Sequence, residues 1–478
     1  MPWSSWLFLL FHVVVLPFAV MHALLFKRDH RTALGWIGII IVFPVAGSLL
    51  YFLFGINRIR SRARMFAHGR ILLLDWIPHL GYERTATSSV RRFATVPNAE
   101  PLSQVGFRVT GAALLPGNQI EILRNGEGFF PRLLQEIAAA RHSVVISSYL
   151  FSTHGIAGAV IDALVRAHVR GIAVHVLVDG VGAWYSWRSA VRRLQQQGVR
   201  VATFLPPRLF PLAVSINLRN HRKIAVMDGV VGFFGGINID QRHMLTDPGN
   251  RHPTEDLHFA VRGPVVQRLQ EVFARDWWMV THTSLAVPSP TGAAVGEVAC
   301  RIIDDGPDES LDYLGMTLQG VFSAAQHEIL IMMPYFLPSR EMLSVLQAAS
   351  LRGVRVRILL PARSNLRFVD WATRNMLWEL VMWHVGVYVC PPPFAHTKLI
   401  TVDDHYVLGG SANLDPRSLR LNFELGVEMF DTGLARSVRQ HIEGALERSH
   451  RLTLEELDGR PLWQRIRDAF FWLFSGYL

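Results

Sequence analysis

The sequence predicts an α/β protein in which one βα unit is used twice, the copies related by a pseudo-twofold axis and preceded by an N-terminal membrane helical hairpin. Three observations predict it. The stretch Asn220-His221-Arg222-Lys223-Ile224-Ala225-Val226-Met227-Asp228, followed by Gly235 and Asn238, returns as Ala395-His396-Thr397-Lys398-Leu399-Ile400-Thr401-Val402-Asp403, followed by Gly410 and Asn413. Every matched position is 175 residues from its counterpart, as 396 is from 221 and 413 from 238. The flanks repeat as well: Arg170-Gly171-Ile172-Ala173-Val174 parallels Arg352-Gly353-Val354-Arg355-Val356, and Gly198-Val199-Arg200-Val201 parallels Gly386-Val387-Tyr388-Val389. The third observation is the apolar character of the first 55 residues.

Those residues form the first of five segments. Residues 3–26 and 32–55 are two apolar runs separated by Lys27-Arg28-Asp29-His30-Arg31. Each is about 24 residues long, enough at ~1.5 Å per residue to cross a hydrocarbon core of about 30 Å. The first lacks the basic start and the A-x-A site of a cleaved signal peptide. Pro17 and Pro44 leave a re-entrant hairpin open beside a spanning one, so residues 1–65 read as an anchor of two transmembrane or re-entrant helices. Arg58, Arg60, Arg62, Arg64 and Arg70 outnumber the cations of the short loop, which by the positive-inside rule keeps the remainder of the chain in the cytoplasm.

Residues 66–115, mixed and polar, are expected to be a linker. Residues 116–290 and 291–450 are the two repeats, in which helical patterns alternate with short β-branched runs around an expected largely parallel sheet. Residues 451–478 end in Trp463-Gln464-Arg465-Ile466-Arg467-Asp468-Ala469-Phe470-Phe471-Trp472, basic and then apolar, too short to span and expected at a membrane interface. The helical pattern from Trp371 to Trp383 reads as core before membrane contact.

The formal net charge of +10 suits an anionic partner, whether nucleic acid or acidic lipid. Two cysteines, Cys300 and Cys390, exclude a cysteine-rich zinc site and a disulfide framework. The histidines His142, His154, His175, His252 and His258 have no metal-ligand spacing, and no phosphate-binding glycine loop or dinucleotide fingerprint occurs, so neither metal nor cofactor is expected.

In each motif His and Lys, two residues apart on an extended segment, point to one face, while the Asp has the opposite parity. Asp228 and Asp403 are therefore expected to support turns or salt bridges, whereas Asn238, Asn413 and Ser411 offer neutral donors.

At these residues the sequence resembles the phospholipase D superfamily, in which two H-x-K-x(4)-D motifs meet at one active site. The hydrophobic N-terminus resembles the anchor of bacterial cardiolipin synthases. The resemblance implies two phospholipase D-like βα domains and a catalytic set of His221, Lys223, Asp228, His396, Lys398 and Asp403. Paired histidines, lysines and asparagines suit a phosphodiester: the cations stabilise charge on the non-bridging oxygens, one histidine attacks phosphorus and the other protonates the leaving alcohol. A nucleophilic histidine needs its far ring nitrogen held by an acceptor. The candidates are Asp256, 35 residues after His221, and Glu424, 28 after His396, with Glu255 a rival in the first repeat. The chemistry alone leaves the order of the histidines open; the resemblance favours His221 as nucleophile and His396 as acid and base.

The expected function is a phosphatidyltransferase of the bacterial inner membrane that moves the phosphatidyl group of phosphatidylglycerol, an anionic phospholipid, to a second lipid. A lipid hydrolase using the same residues is the alternative. A nuclease fits less well, because the anchor and the apolar loop at residues 204–214 have no role in it and no basic groove interleaved with aromatics is visible. A scaffold with dead motifs is disfavoured by two intact motifs.

Overall fold

The computed structural model describes residues 11–27, 30–55, 99–185, 189–206, 218–285, 293–307 and 310–476. The flanking arginines Arg58 to Arg70, most of the expected linker and most of the loop at 204–214 lie outside the described residues.

Strands β1 (Leu115–Arg124), β2 (Ser143–Ser148), β3 (Ala173–Asp179), β4 (Arg200–Phe204), β5 (Ile224–Met227), β6 (Val231–Gly235) and β7 (Leu257–Arg262) belong to the first repeat. Their counterparts are β8 (Val298–Asp305), β9 (Glu328–Met332), β10 (Arg355–Pro361), β11 (Gly386–Cys390), β12 (Leu399–Val402), β13 (Tyr406–Gly410) and β14 (Glu424–Phe430). Read outward from the centre, the first half runs β1-β7-β6-β5-β2-β3-β4 and the second β8-β14-β13-β12-β9-β10-β11, the same order shifted by seven. β1 and β8 pair antiparallel, Leu115 opposite Cys300 and Asn118 opposite Val298, so the halves form one continuous sheet.

The expectation of a largely parallel sheet needs correction. Only β2-β3, β3-β4, β9-β10 and β10-β11 are parallel among the described strands of this sheet. The motif strands run antiparallel to their neighbours because each is the first arm of a hairpin, β5 with β6 and β12 with β13. The turn is written into the motif. Asp228 and Gly229 both have positive φ, 54° and 65°, and the Val230 amide closes onto Met227 O at 2.9 Å. Asp-Gly in that conformation matches the twist of a hairpin.

Val144, Val145 and Ile146 are all buried because helices cover both faces of the sheet. The helices Asn125–Ala139 and Ile156–Val169 pack on the first half, Tyr313–Ala324 and Arg340–Leu351 on the second. Beneath the opposite face Val265–Thr281 and Thr432–Glu447 share one core to which both halves contribute, from Phe204 and Phe259 to Leu330, Leu359 and Val427. That common core fixes the two motif strands relative to each other.

Only the end of the expected linker at residues 66–115 is described, and from residue 99 it is packed structure. Ala99–Thr110 is a helix with Ala99 and Leu102 buried in the core of the second repeat. Arg301 holds it, donating to Ser103 O at 2.9 Å and to Ala112 O at 3.2 Å. Residues 451–478 do not begin as a separate tail, since His450–Arg451 pairs with Tyr388 and Val389 at the sheet edge before the helices Leu454–Asp458 and Leu462–Trp472.

In the N-terminal segment Leu16–Phe26 is one helix, while the second apolar run breaks at Phe43 into His30–Val42 and Pro44–Leu50. Among the described residues no helix is long and apolar enough to cross a membrane. Two continuous spans were one of the two expected forms, and Pro44, which lacks an amide hydrogen, interrupts the second. The helices of this segment pack on one another through a small inner seam of Ala19, Ala23, Ile40 and Tyr51. Ala19, Ala23, Gly47, Ser48 and Tyr51 face inward and Phe18, Leu25 and Leu34 outward, with His22 Nδ1 2.8 Å from Tyr51 Oη.

Candidate active site

His221 and His396 lie just before β5 and β12 on segments clipped to the opposite half of the molecule. The His221 amide donates to Phe423 O at 2.9 Å and the His396 amide to Glu255 O at 2.7 Å. Phe394–Ala395 pairs in parallel with Thr254–Glu255, and Asn220 forms a parallel bridge with Phe423. These two matched clips put each motif against the other repeat's acid-bearing segment.

The carboxylates are therefore exchanged. His221 Nδ1 lies 3.1 Å from Glu424 Oε1, a residue of the second repeat, and His396 Nδ1 lies 2.7 Å from Asp256 Oδ2, a residue of the first. The pairing of each histidine with the acid of its own repeat, which sequence distance suggested, is corrected by this crossing. Glu255 is not the partner of either ring: its carboxylate holds Arg448 at 2.5 Å. Two close approaches permit the geometry. A Cβ on Gly236 would stand 2.4 Å from Asp256 Oδ1, and one on Gly410 2.0 Å from Leu425 O, so glycine is required at both.

Lys223 Nζ donates to His221 O at 2.6 Å and Lys398 Nζ to His396 O at 2.7 Å, each ammonium looping back over its own motif with further donors to spare. Lys398 Nζ also stands 3.1 and 3.2 Å from the two ring nitrogens of His396. Burial lowers the Lys223 ammonium to about 7, against the pull of Glu424, and lowers Lys398 to about 8. Burial likewise lowers His221 despite Glu424, and lowers His396 well below the usual range with Lys398, Lys223 and His221 adding to the effect. Each ring thus feels charges of the other motif, as one shared cleft requires. Burial alone would raise Glu424, but His221, Lys223 and Ser411 outweigh it and keep the carboxylate ionised. An ionised Glu424 can only accept, so His221 carries its proton on Nδ1 and leaves the Nε2 lone pair available.

The other residues singled out from sequence are differently placed. Ser411 Oγ donates to Glu424 Oε2 at 2.6 Å, and Asn413 Nδ2 donates to Ser418 Oγ at 3.2 Å, so both serve the carboxylate's surroundings. Asn413 Oδ1 is buried with no partner. Asn238 Oδ1 accepts from the Leu150 amide at 3.1 Å. Asp228 accepts the amides of Arg141, His142 and Ser143, each at 2.8 Å, and Asp403 those of Gln326, His327 and Glu328, so both carboxylates fasten a hairpin turn to the start of β2 or β9.

Several residues at the site carried no separate signal in the sequence. Arg222, between His221 and Lys223, has the opposite parity and reaches into the junction of the halves. It pairs with Asp276 at 2.5 Å and with Asp304, and donates to Glu424 O at 3.0 Å and Asp305 O at 3.1 Å. His243 Nε2 accepts from the Asn238 amide and His258 Nδ1 from the Ile237 amide, both at 3.3 Å. Burial brings His243 down to about 4 and His258 well below its usual value, so both stay neutral acceptors that set the Ile237-Asn238 backbone. Tyr149 stands edge-on to His221 at 4.9 Å and Tyr335 edge-on to His396 at 6.2 Å. The alternation rule identifies Arg222 as pointing away from the cleft; nothing in the sequence says what it meets there.

The family model described as "Cardiolipin synthase, PLD-like domain" matches residues 133–277 and 318–446, and a second, "Phospholipase_D-nuclease N-terminal", matches residues 6–55. The chain is 29% identical to the major cardiolipin synthase ClsA of Bacillus subtilis over 99% of both chains. It is 31% identical to cardiolipin synthase 2 of Bacillus anthracis over 95% of this chain and 88% of that one. Among solved structures, phosphatidylserine synthase from Haemophilus influenzae superposes with a TM-score of 0.59 at 15% identity, covering 79% of this chain and all of that one, a likeness of fold. With its two motifs joined in one site, the chain belongs to the phospholipase D superfamily, in the family of the cardiolipin synthase phospholipase D-like domain.

Proposed function

We propose that this protein is a membrane-associated phosphatidyltransferase that makes cardiolipin from phosphatidylglycerol and a second phospholipid. The observation that carries the reading is the crossed pair His221–Glu424 and His396–Asp256, with a lysine bonded to the backbone carbonyl of each histidine.

A phosphatidylglycerol phosphodiester enters between the histidines, and Lys223 and Lys398 bear the charge of its non-bridging oxygens. His221 Nε2 attacks phosphorus, the bond from phosphorus to the headgroup glycerol oxygen breaks, and His396 gives that oxygen its proton. The phosphohistidine ring is cationic, and Glu424 at its Nδ1 edge stabilises it. In the second step a hydroxyl of the acceptor lipid loses its proton to His396 and attacks phosphorus, and the nitrogen–phosphorus bond breaks. With phosphatidylglycerol as acceptor the products are cardiolipin and one glycerol. Burial and the charges of Lys398 and Lys223 hold His396 far below its usual value, and the incoming phosphodiester anion brings it back towards protonation.

Transfer needs the acceptor lipid to outcompete water. Limited access supports it: the side chains of His221 and His396 are only 13% and 11% exposed. The N-terminal unit would place the cleft at the inner membrane, and the arginines at 58–70 favour a cytoplasmic catalytic part. Thin-layer separation of the products from labelled phosphatidylglycerol tests the reading. Cardiolipin with an equal amount of glycerol is expected; phosphatidic acid alone would make the protein a hydrolase, and unchanged lipid would contradict both.

A further inference from the structure

Two helices beside the His396 half of the cleft meet solvent with apolar surface. Leu462–Trp472 packs against Arg367–Met382 through Trp371 and Phe471, whose rings are 4.9 Å apart, and Arg467 lies 4.5 Å over Trp371. Asp468 fixes the short helix in rotation: it is fully buried and paired with Arg460 at 2.5 Å and Arg467 at 2.7 Å. The rotation so imposed turns Trp463, Ile466, Phe470 and Leu473 outward along one face, and they are 54–71% exposed. On the longer helix Trp378 and Met382 follow Trp371 by two and three turns on the same stripe and are exposed as well. Nothing in the described structure covers this face.

We propose that this two-helix face is a docking surface for an anionic phospholipid bilayer, so that the catalytic domain rests on the membrane beside its own cleft. Charge supports that occupant. Arg467 lies over both Trp371 and Trp463, Arg465 is exposed on the same helix, and Arg460 and Arg467 share a single carboxylate, Asp468, so the face carries net positive charge. Tryptophan and phenylalanine beside arginine, on a helix of about 16 Å by the ~1.5 Å rise, suit the headgroup boundary and cannot cross the core. Position supports it too. The longer helix begins beside Asn365, whose Oδ1 accepts from Tyr335 Oη at 2.5 Å, and the Tyr335 ring is 6.2 Å from that of His396. Phe471 meets Trp371 near that end of the longer helix, so the apolar face runs towards the mouth of the site.

The test uses the full chain reconstituted in vesicles containing phosphatidylglycerol. Cys300 and Cys390 are buried, so a cysteine introduced by Ile466→Cys can be labelled selectively with a polarity-sensitive fluorophore, and Val169→Cys, 79% exposed on the first repeat, serves as reference. Brominated lipid is expected to quench the label at 466 at least threefold more than the label at 169, independent of protein-to-lipid ratio. Equal quenching would overturn the proposal. Protection of residue 466 that disappears on dilution of the protein within the bilayer would also overturn it, by making the face a contact between copies of the chain. In a second arm, Ile466→Ser with Phe470→Ser is expected to slow turnover of bilayer lipid at least tenfold and to recover to within twofold when the lipid is offered in detergent micelles. Equal loss in both presentations would assign the helix to fold stability and reject docking. The proposal rests on a bilayer substrate only in the second arm, so a protein that docks but forms no cardiolipin would refute the function and keep the surface.

Discussion

Replacing Glu424 with glutamine should stop attack at His221 while leaving His396 intact, even though Glu424 and His396 lie in the same repeat. The carboxylate accepts His221 Nδ1 at 3.2 Å, Ser411 Oγ at 2.6 Å, Ser418 Oγ at 3.0 Å and Asn422 Nδ2 at 3.2 Å. Glutamine keeps the shape and removes the charge. At ~3 Å and an effective dielectric of about 20, a full negative charge beside the cationic phosphohistidine is worth about 5 kcal/mol. The expected loss in the first step is then roughly a thousandfold to several thousandfold. The matched Asp256→Asn weakens His396, which protonates the leaving alcohol, so an aryl phosphatidyl diester with an acidic leaving group should bypass the defect. The assay is single-turnover labelling with phosphatidyl-labelled aryl diester, followed by mapping of the labelled histidine. Label on His221 is expected in Asp256→Asn and not in Glu424→Gln. Label on His221 with the two variants behaving in the opposite way would refute the crossed wiring, and label on His396 would reverse the roles of the histidines.

The same geometry sets three further outcomes. Lys223 and Lys398 are lowered by burial to about 7 and about 8, and only the protonated forms attract the phosphodiester, so kcat/KM should fall as pH rises through 7 to 8; Lys223→Arg, which stays charged, should flatten that limb, and a profile level to pH 9 in the unaltered enzyme would contradict it. Arg222→Met leaves the buried Asp276 without its guanidinium at the junction of the halves, while Asp304 keeps Arg275, which should cost about 3–5 kcal/mol in chemical denaturation; a loss below about 1 kcal/mol would show that the junction does not need it. Asp228→Asn weakens three amide contacts at a partly exposed carboxylate, so about 1–2 kcal/mol of stability should go while turnover per folded molecule stays within about threefold; a hundredfold fall in turnover would make Asp228 part of the chemistry.

What the sequence revealed was what repeats. The constant 175-residue offset marked two halves, and alternation along the motif put His and Lys on one face and the aspartates Asp228 and Asp403 on the other. What it hid depended on contacts between the halves. Asp256 and Glu424 each come after a motif histidine in their own repeat, and only the clips from His221 to Phe423 O and from His396 to Glu255 O deliver them to the opposite ring. Ser411 and Asn413 read as neutral donors to the site, yet Glu424 and Ser418 occupy their donors. The antiparallel share of the sheet was legible in principle, since Asp228-Gly229 between two apolar runs is a hairpin signal. The helix Ala99–Thr110 was not: its short apolar face sits in mixed composition and acquires meaning only against Tyr313–Ala324, where Gly320 admits Val105.

Passage of one phosphorus atom first to a histidine and then to a lipid hydroxyl leaves its mark in stereochemistry. Phosphatidylglycerol made chiral at phosphorus with oxygen isotopes is converted by the full-length enzyme in vesicles, and the configuration of the transferred phosphate is read in the cardiolipin. Two in-line displacements through His221 predict overall retention; inversion would mean that the acceptor attacks phosphorus directly and that no phosphohistidine lies on the path.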